Sequence, residues 1–288
     1  MPGWASDPLS LTAVAGLLGA IVGSFLNVVI LRLPRMLEAR WRRDACEFLQ
    51  LPDDQAAPRL TLAHPASHCP HCGAPIRAWH NIPILSWLLL RGRAACCGAR
   101  ISAQYPLVEA LSAVLAAACA WHFGYGWALA GSLVFSWMLL ALAVIDLNTQ
   151  LLPDDLTLTL LWLGLLGATA GVFSTPVAAI VGAAAGYLSL WTVASLFRLL
   201  RGREGMAPGD FKLLAAIGAW LGWHALPEVI LLSSLVGAVV GSLLMVLRRQ
   251  DRSQPIPFGP YLAGAGWLAM LWGDSLREAY LRSAGMGG

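Results

Sequence analysis

The chain has 288 residues, of which 58% are apolar and only 12% charged, against about 45–50% and about 25% in an ordinary soluble domain. A soluble fold of this length has no interior able to hide so much apolar surface. The net charge of +3 is no nucleic-acid footprint, so the sequence reads as an all-α, polytopic helical membrane protein, with the lipid bilayer as its surroundings and no nucleic acid as partner.

Apolar runs of roughly 17–23 residues match about 30 Å of hydrocarbon at 1.5 Å per residue. The first lies at 11–31. The residues before it hold no Lys or Arg and no small-residue cleavage pattern follows it, so it is expected to be a span rather than a cleavable signal. Residues 32–104, rich in Arg, Pro, Cys and His, form one long soluble insertion, with 44–58 expected to be flexible or weakly ordered. Seven further spans are expected at about 105–121, 127–145, 156–173, 177–197, 209–222, 226–247 and 259–273. The sixth of the eight is short and has a charge at its start. The organisation is then a first transmembrane helix (1–31), a cytoplasmic insertion (32–104) and a transmembrane bundle (105–288). No internal repeat is evident.

The basic residues orient these spans. With the N-terminus outside, Arg32, Arg35, Arg40, Arg42, Arg43, Arg59, Arg77, Arg91, Arg93 and Arg100 lie inside, as do Arg198, Arg201, Arg203, Lys212, Arg248, Arg249 and Arg252. Only Arg277 and Arg282 fall outside, as the positive-inside rule requires. Small-residue pairs (Gly164 and Gly167, Gly182 and Gly186, Gly237 and Gly241, Gly264 and Gly266) are expected to serve helix packing in lipid.

Two acids stand at span ends on the inner side. Asp146 closes the third span and Asp210 opens the sixth. Acids in spans are costly and usually face a protein or water-filled interior. Two nearby carboxylates cannot both ionise easily, which suits a base that activates water and an acid that protonates a leaving amine. Asp154 and Asp155 follow Pro153 at a helix start, where capping explains them at least as well as catalysis. Asp210, after Gly209, also fits a cap. Asp146 ends its helix, where a negative charge is unfavourable. Physics alone leaves open both a catalytic pair and a proton- or cation-coupled transporter built on Asp146 and Asp210.

Cys69-Pro-His-Cys72-Gly has the spacing of half a zinc site. Cys96 and Cys97 precede Gly98 and are candidates for the other half, with His68 and His71 as alternative ligands; the bland reading is ordinary thiols in a loop. On the reducing inner side disulfides are not expected. Cys46 and Cys119 carry no pattern, and Cys119 is expected to be buried in its span.

Several ordered segments carry a resemblance across nearly the whole chain. They are Gly23-Ser-Phe-Leu-Asn27 through Arg32-Leu-Pro34, His80-Asn81-Ile-Pro83 with Trp87, Arg91-Gly92-Arg93, Tyr105-Pro-Leu-Val-Glu109, Asp146 with Leu152-Pro153-Asp154, Gly209-Asp210-Phe-Lys212, and Pro257-Phe-Gly259-Pro260. In these the chain resembles the bacterial type IV prepilin peptidases (prepilin leader peptidase / N-methyltransferase), membrane aspartic proteases with a Gly-x-Gly-Asp motif. The resemblance implies that Asp146 and Asp210 are catalytic. It implies cleavage of the leader from type IV prepilins and type II secretion pseudopilins at the cytoplasmic face of the inner membrane. It also implies N-methylation of the new terminus with S-adenosyl-L-methionine. No Gly-rich nucleotide loop follows a strand, and Glu38, Glu47 and Glu109 are donor-site candidates only as acids near the interface. The chain departs from the pattern twice. Ala207 replaces the first motif Gly, and Ala94 stands where a second CxxC would begin, leaving Cys97 in its second position and the Zn2+ ligand set of Cys69, Cys72, Cys97 and Cys96 incomplete by that pattern.

Overall fold

The structure, a computed structural model, describes residues 7–52, 60–69, 71–203, 205–248 and 257–283. It forms two compact units, Met1–Tyr125 and Gly126–Gly288.

In the first unit, α1 (Pro8–Phe48) begins where Asp7 accepts from the Ser10 N–H at 2.9 Å and Pro8 takes the first turn, which needs no N–H donor. At 41 residues it is far longer than a bilayer crossing. Residues 44–48, expected to be weakly ordered, continue this helix instead, because no Gly or Pro interrupts the run from Arg35 to Leu51. Residues 53–58 of the same stretch lie outside the described residues. The insertion includes α2 (Leu85–Leu89), and α3 (Gln104–Phe123) returns to pack along α1. The two backbones meet at Gly19 and Gly23. A Cβ on Gly23 would stand 2.7 Å from the Glu109 Cα, so only glycine permits this crossing. Asn27 Nδ2 then donates to the Tyr105 carbonyl at 3.0 Å, tying the helices one turn further on. Arg32 turns out of α1 and donates to the carbonyls of Thr61, Leu62 and Pro65, anchoring the insertion.

The second unit contains α4 (Trp127–Thr149), α5 (Asp154–Thr169), α6 (Pro176–Arg201), α7 (Pro208–Leu221), α8 (Leu226–Arg248) and α9 (Gly259–Ser283). Its centre is α7, in which Asp210, Phe211 and every residue from Leu213 to Trp220 are buried. Helix α6 lies so close that a Cβ on Gly182 would overlap the Gly218 carbonyl. Against α5, Trp220 lies over Gly164 and its Nε1 donates to the Leu160 carbonyl at 2.7 Å. Between α4 and α9, Trp267 Nε1 donates to Ser136 Oγ at 2.9 Å. Packing thus accounts for Gly164, Gly182, Gly186 and Gly266, whereas Gly167 and Gly264 have no neighbour within 4 Å of where a Cβ would be.

The chain is all-α, and each of the eight expected spans falls on a helix. Five helical segments among the described residues are long and apolar enough to cross a membrane: Pro8–Phe48, Gln104–Phe123, Trp127–Thr149, Pro176–Arg201 and Trp223–Leu244. The other three expected spans fall on α5, α7 and α9. With 16 and 14 residues, α5 and α7 reach only about 24 and 21 Å. Sheathed by its neighbours, α7 needs neither the length nor the uniform apolarity of a lipid-facing span.

Candidate active site

Among the described residues the buried carboxylates are Glu109 in the first unit and Asp146 and Asp210 in the second. Asp146 sits in the last turn of α4, before the left-handed cap at Gln150, and is 4% exposed. Asp210 sits in the first turn of α7 and is 5% exposed. The fold therefore brings the end of one helix to the start of another, close enough that the charge of Asp146 acts on Asp210.

Two small features hold the pair. The Gly259 N–H, at the start of α9, donates to Asp146 Oδ2 at 2.9 Å and orients that carboxylate. Leu152, in the link after α4, fits against both Gly209 and Gly259: added Cβ atoms would stand 2.8 Å from its Cβ and 3.2 Å from its Cδ2. The motif position that departs from glycine is harmless, because Ala207 caps α7 in extended geometry (φ −77°, ψ 145°) that any residue adopts. Asp210 does not cap the helix through its side chain; its backbone N–H bonds to the Ala207 carbonyl at 3.2 Å.

Asp154 and Asp155 occupy the first turn of α5, but neither side chain makes a capping hydrogen bond; Pro153 is the cap residue. Asp154 instead accepts from Lys212 Nζ through both oxygens, at 2.6 and 2.8 Å. A lysine two residues after Asp210 outcompetes the helix start for this carboxylate, because a full charge attracts it more strongly than peptide dipoles do.

In the first unit the insertion folds two short hairpins with the same register. One pairs His68 with Pro75 and the other Arg93 with Arg100. Each carries a glycine at positive φ (Gly73, 71°; Gly98, 70°) whose N–H bonds four residues back, to the Cys69 and Ala94 carbonyls respectively. Cys72 thus matches Cys97, Cys69 matches Ala94, and a short repeat exists that was not evident from the sequence. The missing sulfur is supplied from the adjacent position. The Sγ atoms of Cys69, Cys72, Cys96 and Cys97 all lie within 4.8 Å of one another, with Cys69–Cys97 at 3.7 Å and Cys72–Cys96 at 3.3 Å.

Four thiolates about 2.3 Å from a tetrahedral ion have edges of comparable length, so the cluster could hold a metal ion. Neither His68 nor His71 belongs to it, and His68 Nδ1 is engaged with the Ala66 carbonyl. The backbone N–H groups of Cys72 and His71 hold the Cys69 thiol down to about 6, whereas the hydrogen bond with the Cys72 thiol pushes the Cys96 thiol up to about 12. A cation entering the cluster would have to displace protons. Cys119 is buried in α3.

Glu38 and Glu47 lie exposed on α1, whereas Glu109 is buried, accepts the Ile84 N–H at 2.7 Å and lines a cavity. Sequence reasoning gave Lys212 only a place among the inner-side basic residues, and Gly259 and Leu152 no role. Gly259 and Leu152 did sit in the quoted Pro-Phe-Gly-Pro and Leu-Pro-Asp segments, which were the available signal.

Comparison with known proteins agrees in both units. The family model for the bacterial peptidase A24 N-terminal domain matches residues 17–123, and that of the type IV leader peptidase family matches residues 133–242. The chain is 52% identical to the "Prepilin leader peptidase/N-methyltransferase" of Stutzerimonas stutzeri, over 97% of each chain. Proteins of the same name from Pseudomonas aeruginosa (51% identity; 98% of this chain, 97% of the relative) and Xanthomonas campestris (52%; 96% of each) are similarly close. No solved structure matches.

Proposed function

The chain belongs to the type IV leader peptidase family, and on that premise we propose that it cleaves the leader peptide from prepilins and N-methylates the terminus so exposed. The observation that carries the peptidase half is the buried Asp146–Asp210 pair. One carboxylate takes a proton from a water, whose oxygen attacks the scissile carbonyl. The other, protonated, polarises that carbonyl, and the departing amine receives a proton as the C–N bond breaks. The Gly259 N–H fixes the orientation of Asp146 throughout. A transporter built on the same acids has no support from the family or the relatives.

The finer reading is a multi-pass protein of the bacterial inner membrane with its active site toward the cytoplasm. It is supported by the clustering of Lys and Arg at the inner ends of the spans. The substrates would be membrane-embedded type IV prepilins and type II secretion pseudopilins, whose basic leaders lie on that side. The division into anchor (1–31), methyl-transfer insertion (32–104) and protease bundle (105–288) is kept as a functional proposal, with α3 of the last segment packed on α1 in the first unit. Zn2+ is the metal that best suits four thiolates, and Cys69, Cys72, Cys96 and Cys97 would hold it.

For the second activity, S-adenosyl-L-methionine supplies an electrophilic methyl group. Bound to this chain, the donor would supply that methyl group to the neutral amine of the cleaved substrate, leaving as a neutral thioether with the amine's proton released to water. Incubating the purified full chain with a prepilin and tritiated donor tests the reading. Mass spectrometry should show a shortened product that carries one additional methyl group. An uncut precursor would overturn the peptidase assignment, and a cut but never methylated product the transferase half.

A further inference from the structure

The first unit contains a cavity of about 460 Å³, within the range of pockets that enclose small molecules. Its walls come from the cysteine hairpins, the segment around α2 and the start of α3, with Leu31 of α1 closing one side. The lining is mixed in a specific way. Trp87 and Ile101 present an aromatic and an aliphatic surface, Asn81 and Tyr105 add polar groups, and Arg100 and Glu109 place one cation and one anion on the same cavity.

These walls are held in place. Trp87 Nε1 donates to the Ile101 carbonyl at 3.4 Å, and the ring lies so close to Gly92 that a Cβ there would stand 2.9 Å from it. Ile84 adopts φ 61°, unusual for a β-branched residue, and its N–H is taken by the Glu109 carboxylate at 2.7 Å. Glu109 itself is 8% exposed. An acid held this deep by one backbone donor keeps acceptor capacity for a cationic guest.

We propose that this cavity is the methyl-donor site, with the adenine against Trp87 and Ile101, the donor's own carboxylate toward Arg100, and its sulfonium toward Glu109. The assignment rests on the methyltransferase reading above and places it on named residues. An apolar wall suits the flat base, and a buried anion favours a sulfonium over the neutral thioether left after transfer. The site thereby binds donor more tightly than product, and Glu109 is the residue that makes the distinction.

The test is equilibrium binding of S-adenosylmethionine and S-adenosylhomocysteine to the full chain in detergent, without prepilin. The Glu109→Gln variant keeps shape and loses charge. It is expected to weaken S-adenosylmethionine binding at least about tenfold while S-adenosylhomocysteine changes less than about threefold; the retained product binding also shows that the variant is folded. Equal loss of both ligands, or loss of neither, overturns the proposal. Ultraviolet photolabelling of the unmodified chain with tritiated donor provides an independent measurement. Label on peptides within 76–109 supports the site, and label confined to 126–288 overturns it. Donor binding that survives Glu109→Gln unchanged sinks the site but leaves the transferase reading standing, whereas an unmodified chain that binds neither ligand and methylates nothing removes both.

Discussion

Gly259 and Asp146 meet through a single hydrogen bond across 113 positions of sequence: the Gly259 N–H donates to Asp146 Oδ2 at 2.9 Å. A Cβ at Gly259 would stand 2.7 Å from that same oxygen. Gly259→Ala must therefore push the carboxylate off its donor. Leader cleavage is expected to fall by about 10–100-fold in kcat, with little change in KM, since substrate contacts elsewhere are untouched. Steady-state kinetics on a prepilin peptide would show it, and an unaltered kcat would mean that the orientation of Asp146 is not limiting.

Asp146→Asn and Asp210→Asn each remove a member of the pair. Each is expected to lower cleavage by at least about 10³-fold, as losing an acid or base typically does, while methylation of an already cut pilin continues. Residual cleavage near the wild-type rate in either variant would disprove the dyad.

The Lys212–Asp154 bridge joins α7 to α5 at an exposed edge, with side chains 30% and 54% accessible. Lys212→Ala is expected to lower stability by no more than about 1 kcal/mol. With Asp154 already paired, Asp155 is the acid free to meet a basic leader, so Asp155→Asn should raise KM for a basic leader by roughly 2–5-fold at low salt and by less at high salt. A salt-independent KM would rule out leader attraction by this residue.

Metal content distinguishes a metal knuckle from a loop of thiols. The purified chain is expected to hold one Zn2+, and Cys72→Ser to lose it along with donor binding, because the cysteine hairpins form a wall of the cavity. Elemental analysis of both proteins is the check; equal metal in each would remove Cys72 from the ligand set.

Gly182→Leu places a side chain where the Gly218 carbonyl already lies. Overpacking is expected to cost about 1–3 kcal/mol. Because α7 carries Asp210 as well as Gly218, cleavage should fall with stability, as thermal unfolding in detergent followed by an activity assay would reveal.

Class and family were legible from the chain alone. Runs of apolar residues encode membrane helices locally, through the cost of exposing backbone polar groups to lipid. Ordered motifs such as Gly209-Asp210-Phe-Lys212 and Gly23 through Asn27 carried the resemblance. Crossing number was not legible in the same way, because hydropathy counts apolar residues without knowing whether lipid or protein covers them. That is why 14-residue α7 reads as a weak span yet forms the centre of its unit. Partner choice was beyond local reading as well. Asp154 faced both a helix start and a distant lysine, and only the packing of α5 on α7 decided for Lys212. Cys96 looked like an awkward neighbour of Cys97 until the second hairpin took the register of the first and brought its sulfur to the cluster.

The sequence by itself determined an all-α membrane chain and the two acids worth watching, since each of these follows from residue type and local order. Only tertiary structure decided that Gly259 holds Asp146, that Leu152 wedges between two helix starts, and that Glu109 is buried and lines a cavity while Glu38 and Glu47 lie exposed. Those relations join residues tens to more than a hundred positions apart, and they arise from close helix packing rather than from any local propensity.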